Sequence, residues 1–513
     1  MSLRSQLTNR PQPTTLSRRT VLRAAAAAVP LTAVPTLQAR ATGREPASIR
    51  RLAEKIEAGM AKYAIPGVGL GLWYGGQQYV RGFGVTNVDN PSPVTADTVF
   101  RIGSTTKTFT ATAIMRLVER GRINLDRPVR AYLPDFQTAD PSVAARVTVR
   151  QLLNHTAGWL GDYFEDTGQG DDALARYVAG MPKVPQLTPL GKVFSYNNAA
   201  LGIAGRIIEV VTGKTYEAAV RELLIDPLGL AHSRYFRSEL AGFSVAASHN
   251  IVDGKPVVEP SFDAIPRSLH AAGGLISSAR DQLRYARFHL GHIPHLLSDR
   301  ARIAMQSNPG PGGTLFVELD GVGVSWMLRP TKEGPTVVQH GGDWYGQHSG
   351  FLMVPKRDFA ITVLTNSESG PNLVAELFAD DWALREFAGV SNLPAVPREL
   401  PPDQLAAYTG VYTSGEIGFD GQPSEFALEL AADHGELVAL LDGEVALRLA
   451  FYRPGYVLVL DPAGQPTHFR ANFLLGSNGQ AQWLRYGGRL FRRQPANRRA
   501  SSFRPAKLTH RLL

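Results

Sequence analysis

Ser104 and Lys107 form the single Ser-x-x-Lys motif of the chain. A helix is predicted to begin here, and residues i and i+3 share a helix face, so the lysine amine should lie beside the serine hydroxyl. A serine at a helix start also has a free backbone N–H that can supply half of an oxyanion hole. A lysine buried near cations or apolar groups can lose its proton and act as a base. The motif also fits a serine helix cap followed by a surface lysine.

Tyr196 and Asn198 belong to the only Tyr-x-Asn sequence in the chain, which precedes a predicted helix over 199–211. A tyrosine in a loop can act as a general base or acid when nearby cations lower its pKa. The amide of Asn198, two positions on, could contact both Lys107 and a substrate carbonyl. An aromatic core residue and a helix cap are the alternative interpretation.

A third group of candidate residues closes a predicted strand over 336–339 and consists of His340, Gly341, Gly342 and Asp343. Glycines on a strand let another backbone approach closely, so a substrate amide could pair along this edge. The Asp343 N–H would be the second oxyanion donor, and His340 would face the site as a cation or hydrogen-bond donor. A rival His-x-Gly begins at His348, which is predicted to lie in a turn, and His340 is therefore preferred.

The elements that must position these residues follow from hydrophobic periodicity. Apolar residues at helical spacing predict helices, and β-branched or aromatic runs bounded by glycine predict strands. The predicted helices cover 47–63, 105–120 and 371–388, and the predicted strands cover 68–74, 78–85, 99–102, 351–354 and 359–365.

Taken together, the three motifs in this order resemble the serine β-lactamase, penicillin-binding protein and esterase family. Four further stretches match family signatures: Leu152–Gly158, Asp226–Leu230, Ala272–Ser278 and Val363–Asn366. The resemblance covers about residues 45–390. It implies an α+β fold of the β-lactamase/transpeptidase type, in which an antiparallel sheet backed by helices adjoins an all-helical lobe, with the site between them.

The resemblance implies a serine hydrolase that works through an acyl-enzyme, with Ser104 as nucleophile and with Lys107 and Tyr196 moving the proton. Many β-lactamases carry Lys-Thr-Gly as the third motif, and this chain has no such triplet. A histidine is only partly charged near neutral pH, whereas a lysine offers a fixed charge for a substrate carboxylate. An esterase or D-amino-acid peptidase-like activity is therefore expected. The alternatives are a β-lactamase and a non-hydrolytic cell-wall or penicillin-binding protein on the same fold.

The C-terminal part has a different pattern. Residues 391–402 contain four prolines and predict a linker after a hydrolase domain over 42–390. Short apolar alternations between turn signals then predict a small antiparallel sheet or barrel over 403–492. Residues 493–513 are basic and are expected to be disordered. The accessory domain could restrict substrates, support dimerisation or add stability, and the oligomeric state stays open.

Residues 1–41 are predicted to be an export signal of the twin-arginine type. Arg18 and Arg19 precede an apolar run over 24–34, and Ala39 and Ala41 stand at the −3 and −1 positions of a cleavage site. The run is shorter than the roughly 20 residues of a spanning helix. A periplasmic or extracellular protein without stable membrane insertion is expected. A disordered cytosolic tail is the alternative.

Composition excludes several other functions. The chain contains no cysteine, which removes disulfides and thiolate metal sites. The net charge is +9, but residues 1–41 and 492–513 hold thirteen basic residues and no acid, leaving 41 basic against 45 acidic residues between them. Nucleic-acid binding would need that charge on the folded body. His289, His292 and His295 are interrupted by Pro294, so neither a metal nor another cofactor is expected. The expected ligand is a small-molecule or peptide substrate.

Overall fold

A seven-stranded antiparallel sheet frames the first part of the chain in the computed structural model, which describes residues 45–263, 265–441 and 443–495. The predicted export signal and all but the first three residues of the basic tail lie outside these ranges. The sheet order is β2-β1-β13-β12-β11-β10-β9. The strands of this part are β1 (Gly67–Tyr74), β2 (Gln77–Gly84), β3 (Val99–Arg101), β4 (Ser248–Val252), β5 (Lys255–Glu259), β6 (Ile276–Ser278), β7 (Gly313–Leu315), β8 (Val317–Leu319), β9 (Gly321–Val322), β10 (Met327–Arg329), β11 (Val337–Trp344), β12 (Gln347–Val354) and β13 (Phe359–Thr365).

Helices cover both faces of the sheet and build a separate helical lobe. They are α1 (Ala47–Tyr63), α2 (Thr106–Glu119), α3 (Pro141–Arg146), α4 (Val149–Leu153), α5 (Ala173–Ala179), α6 (Asn198–Thr212), α7 (Tyr216–Val220), α8 (Asp226–Leu228), α9 (His270–Gly273), α10 (Ala279–Leu290), α11 (Asp299–Met305), α12 (Gly370–Val374) and α13 (Pro402–Leu405). None of the helices in the described ranges is long and apolar enough to cross a membrane.

Strand β1 shows why helices fit against both faces. Its residues through Trp73 are all buried, which is typical of a strand covered on two sides. Leu70 and Leu72 pack in the cluster that contains α1. On the other face, a Cβ at Gly71 would lie 2.8 Å from the Ala279 carbonyl oxygen, so glycine lets α10 close onto the sheet.

The predicted helix over 371–388 is only partly formed. Helix α12 runs into a π-helical turn over 375–379, and a second such turn covers Leu384–Ala388. Between them, Asp381 has a φ of 57°, which no continuous right-handed helix can accommodate. The periodic apolar residues, Leu377, Leu384 and Phe387 among them, still pack into the core. The pattern therefore predicted burial correctly and helix continuity wrongly.

The β-rich C-terminal part is a closed eight-stranded antiparallel barrel. Its strands are β14 (Gly410–Ile417), β15 (Pro423–Asp433), β16 (Glu436–Leu441), β17 (Glu444–Arg453), β18 (Tyr456–Leu460), β19 (Pro466–Leu475), β20 (Ala481–Tyr486) and β21 (Arg489–Arg493). Pairing of β14 with β21 closes it, which leaves no free edge. Aromatic rings, including Tyr408, Phe451 and Phe473, pack together in its core.

The barrel is packed against the first part of the chain, and the two form one compact unit from Ala47 onward. Arg485 of β20 is central to the contact. Its guanidinium donates to the Phe194 carbonyl oxygen at 3.0 Å, to the Gly312 carbonyl oxygen at 3.2 Å and to the Asn472 side-chain oxygen at 2.9 Å. Burial lowers the pKa of Arg485 to about 10. The positive charge of Arg485 is therefore stabilised by carbonyl dipoles rather than by a carboxylate.

Replacing Arg485 with methionine should keep the apolar volume and leave these three acceptors without their donor. Because a buried polar group without a partner costs about 1–3 kcal/mol, we expect a loss of a few kcal/mol in the free energy of unfolding. Thermal unfolding of Arg485→Met against Arg492→Met, an exposed arginine on the next strand, measures it. Equal unfolding midpoints for the two variants would contradict the assignment.

Candidate active site

Ser104 and Lys107 meet at the start of α2. Gly103–Thr105 form one 3₁₀ turn that leads into the helix, so both side chains lie on the same face. The Lys107 Nζ donates to Ser104 Oγ at 2.9 Å and to the Ala272 carbonyl oxygen at 2.7 Å. The amine is thus fixed beside the hydroxyl it would deprotonate.

The environment of Lys107 favours its neutral form. Its side chain is fully buried, and this burial is the main cause that lowers its pKa well below the usual range. The positive charge of Arg489 lowers the pKa further, while Asp162 and Asp343 oppose the shift. A neutral lysine amine can accept the serine proton, as a general base must.

Tyr196 lies over the same pair. The Lys107 Nζ is 5.0 Å from its ring centroid. Burial raises the pKa of Tyr196 above its usual value, although the Ser104 side chain and the charge of Arg489 oppose the rise. A protonated tyrosine in this position can pass a proton to a leaving group.

Asn198 is the first residue of α6, and its neighbour Asn197 caps the helix by accepting from the Ala200 N–H at 2.8 Å. The helix-cap interpretation therefore applies to Asn197. The Asn198 amide nitrogen donates to Asp162 Oδ1 at 2.8 Å. The structure places this amide on Asp162 rather than on Lys107.

His340 lies within β11, not at its end. Strand β11 continues to Trp344, because β12 pairs with it from His340 opposite Phe351 to Trp344 opposite Gln347. The expected end of the strand after residue 339 was therefore wrong. The longer pairing carries Gly341, Gly342 and Asp343 on a rigid strand.

The His340 ring is held neutral. Burial is the main cause that lowers the pKa of His340 to about 3, and Lys107 lowers it further whenever the lysine amine is protonated. Its Nδ1 lies 2.6 Å from the Gly341 carbonyl oxygen, which can only accept, so Nδ1 carries the proton. The buried Nε2 is then an acceptor, with no hydrogen-bond partner among the described residues. The geometry supports an acceptor at Nε2 rather than the expected cation or hydrogen-bond donor.

Two glycines bring the candidate oxyanion donors together. A Cβ at Gly342 would lie 2.4 Å from the Ser104 nitrogen, and a Cβ at Gly103 would lie 2.5 Å from the Asp343 nitrogen. Only glycine allows the two backbones to approach so closely. The Ser104 and Asp343 N–H groups are thereby neighbours, as the two donors of an oxyanion hole must be. At Gly341 a Cβ would meet only the Ser349 oxygen, at 3.1 Å.

The rival His348 lies on β12, directly across from Asp343. Its Nδ1 forms an ion pair with the Asp343 carboxylate. His348 therefore supports the strand that carries the oxyanion donor, and its ring is occupied by that contact.

His155 is a site residue whose role the sequence did not indicate. Its ring stacks on Tyr196 with centroids 4.9 Å apart, and its Nδ1 accepts from the Asn197 N–H at 3.0 Å. Burial and the charges of nearby cations lower its pKa well below the usual range, so the ring is neutral. His155 fixes the loop that carries Tyr196. Only its place in the 152–158 signature pointed to it.

Arg489 was not predicted by any sequence pattern. It belongs to the barrel, yet its guanidinium pairs with Asp162 at 3.1 Å and lies 4.8 Å from the Tyr196 ring centroid. The adjoining turn also contributes, because the Tyr196 N–H donates to the Gly488 carbonyl oxygen at 2.8 Å. The barrel thus supplies part of the site. In the described part of the chain, no group of three or more His, Cys, Asp or Glu could hold a metal ion.

Comparisons with known proteins agree with this geometry. The family model described as Beta-lactamase matches residues 52–384. Penicillin-binding protein 4 of Amycolatopsis lactamdurans is 36% identical over 369 residues, which cover 70% of this chain and 96% of that protein. Esterase EstB of Burkholderia gladioli is 30% identical, over 58% of this chain and 86% of that protein. The chain belongs to the β-lactamase family.

A solved structure extends the likeness to the barrel. The crystal structure of SurE superposes with a TM-score of 0.70 and 28% sequence identity, covering 88% of this chain and 100% of that one. SurE has also been solved with D-Leu, and that structure matches with a TM-score of 0.68 and 26% identity over 87% of this chain.

Gly103→Ala should disrupt the oxyanion hole. The new Cβ would meet the Asp343 backbone, so the two donors must separate, and loss of one donor costs about 10²–10³-fold in kcat. Gly121→Ala is the matched control. Both glycines have a positive φ, 66° at Gly121 and 49° at Gly103, but a Cβ at Gly121 would meet nothing within 4 Å. Pre-steady-state acylation rates compare the two. A wild-type acylation rate in Gly103→Ala would refute this placement.

Arg489→Gln should move the pH profile upward. Removing this cation raises the pKa of Lys107, which must be neutral to act as the base, so the acidic limb of kcat/KM shifts to higher pH. The measurement is kcat/KM between pH 5 and 10, with Arg492→Gln as control. An unmoved acidic limb would show that Arg489 does not act on Lys107.

Proposed function

We propose that the chain is a serine hydrolase that forms an acyl-enzyme at Ser104 with an ester or an amide of a D-amino-acid type. The observation that carries this is the buried Lys107 amine, hydrogen-bonded to Ser104 Oγ and in contact with no carboxylate among the described residues. A lysine in such a place has the depressed pKa that activates a serine.

The proposed acylation step uses the groups in order. Lys107 accepts the proton of Ser104 as Oγ bonds to the substrate carbonyl carbon, and the Ser104 and Asp343 N–H groups hold the resulting oxyanion. The tetrahedral intermediate then collapses, and the bond from carbon to the leaving oxygen or nitrogen breaks. The leaving group takes a proton from Tyr196, which recovers one from Lys107. Water attacks the acyl-enzyme by the reverse sequence, releasing the acid.

Two observations favour ester or D-amino-acid chemistry over β-lactam hydrolysis. The neutral His340 supplies no cation, whereas Lys-Thr-Gly enzymes have a fixed cation at this position. The likeness to SurE, solved with D-Leu, spans the barrel as well. A β-lactamase remains the second candidate, because Arg489 brings a cation into the site from the barrel.

Ser104→Ala should abolish turnover and covalent labelling. The wild-type protein is treated with a fluorophosphonate or with a penicillin, and intact mass is followed over time. We expect wild type to form an adduct at Ser104. The acyl adduct formed with penicillin should decay with time, and Ser104→Ala should form no adduct. Ser142→Ala, an exposed serine at the start of α3, is the control and should label normally.

The same samples are assayed with short-chain esters, D-amino amides, D-Ala-D-Ala peptides and a chromogenic cephalosporin. Turnover of the cephalosporin above all others would favour the β-lactamase alternative. No adduct with any reagent would overturn the proposal in favour of a non-hydrolytic binding protein.

A further inference from the structure

A continuous group of aromatic rings, here named the aromatic wall, consists of Phe164, Trp344, Tyr345 and Phe419. Ring centroids are 5.2 Å apart for Trp344 and Tyr345 and 6.4 Å for Trp344 and Phe419, with the latter rings inclined by 29°. Phe164 meets the edge of Phe419 at 6.3 Å. Tyr345 is 54% exposed and Phe419 is 36% exposed. The wall therefore offers apolar ring faces to a ligand.

Two parts of the fold build this wall. Phe419 lies on the turn between β14 and β15 of the barrel. Backbone hydrogen bonds fix that turn to the loop of Phe164: the Phe164 N–H donates to the Ile417 carbonyl oxygen at 2.8 Å, and the Asp166 N–H donates to the Phe419 carbonyl oxygen at 2.9 Å. Phe164 and Phe419 are thus held by backbone hydrogen bonds between the barrel and the loop that follows α4.

The wall is continuous with the catalytic strand. Alternate residues of a strand share a face, so His340, Gly342 and Trp344 of β11 lie on one face. The Gly342 position faces the Ser104 backbone, as its missing Cβ shows. Trp344 is two residues further on, about 6.7 Å along the strand, and His340 is two residues in the other direction.

The two directions along β11, toward His340 and toward Trp344, would contact different halves of a substrate. Tyr196, which would protonate the leaving group, has its ring centroid 6.3 Å from that of His340. This contact places the proton donor near His340, so in the proposed orientation the leaving group lies on the His340 side and the acyl group extends toward Trp344.

We propose that the aromatic wall is the subsite for an apolar, preferentially aromatic, side chain on the acyl portion of the substrate. This rests on the proposed acyl-enzyme at Ser104. Large exposed rings bind apolar groups through burial and through stacked or edge-on contacts. The ion pair of Asp343 with His348 leaves that carboxylate partnered beside the wall.

The test varies the acyl group while the leaving group is kept constant. Phenylacetyl and acetyl esters of p-nitrophenol are compared for wild type, Phe419→Ala, Trp344→Ala and the double variant. We expect each single variant to lower kcat/KM for the phenylacetyl ester about tenfold, and to change it less than about twofold for the acetyl ester. Because the two rings stack, the double variant should lose less than the product of the single losses. Leu475→Ala, an exposed apolar residue elsewhere on the barrel, should leave both rates unchanged.

Equal losses for both esters, or a wild-type enzyme with no preference for phenylacetyl, would overturn the subsite. A second series keeps the acetyl group and varies the leaving group, and an effect of Phe419→Ala confined to that series would also overturn it. Failure of the proposed function looks different, since wild type would then form no Ser104 adduct. In that case, binding is followed by the quenching of tryptophan fluorescence by phenylacetamide. Quenching that is lost in Trp344→Phe and weakened in Phe419→Ala supports the subsite. Quenching that is unchanged in both variants refutes it.

Discussion

A lysine amine held away from water beside a serine hydroxyl sets the conditions for the rest of this site. A buried amine without an acid partner favours its neutral form, and burial and Arg489 lower the pKa of Lys107 against the opposing charges of Asp162 and Asp343. The Ala272 carbonyl oxygen and Ser104 Oγ accept its hydrogen bonds. The two nearby histidines are kept neutral by the same burial and by the surrounding cations. Of the cations nearby, Arg489 is held at a distance by its pairing with Asp162, so it lowers the pKa of the lysine without competing for the serine.

Backbone geometry imposes the second constraint. The start of α2 approaches β11 so closely that neither Gly103 nor Gly342 can carry a side chain. The contact joins the helical lobe to the sheet at the point where two N–H groups must converge. The antiparallel sheet supplies the partner for this approach, because β12 pairs with β11 through Trp344 while β10 pairs only with residues 337–339 and leaves the edge at Gly342 open. The barrel then closes the remaining side of the site through the turn at Gly488 and the arginine that follows it.

The sequence was informative where chemistry and local structure coincide. Ser104, Lys107, Tyr196 and His340 are brought to one place, with Ser104 and Lys107 at the predicted helix start, while Asn198 contacts Asp162 and His340 lies inside a longer strand than predicted. The length of β11 was underestimated, because glycines weaken a strand pattern while cross-strand pairing with β12 extends the strand. The charge state of His340 could not be predicted, because it depends on burial and on Lys107, a residue distant in the chain. Arg489 was missed for the same reason: its partners, Asp162 and Tyr196, lie about 300 residues earlier, and no local pattern distinguishes it from other arginines of the barrel.

The turn between β20 and β21 makes the reaction centre depend on the barrel. This hairpin is the last regular structure in the described chain, yet its backbone accepts the hydrogen bond that fixes the Tyr196 loop. Without this hairpin, the Tyr196 N–H would lose its acceptor at Gly488 and Lys107 would lose the nearby cation of Arg489. The surroundings of the reactive serine therefore depend on a strand pair that lies almost 300 residues after Tyr196 in the chain. A chain truncated before β20 would carry Ser104 without the two barrel groups that contact the Tyr196 loop.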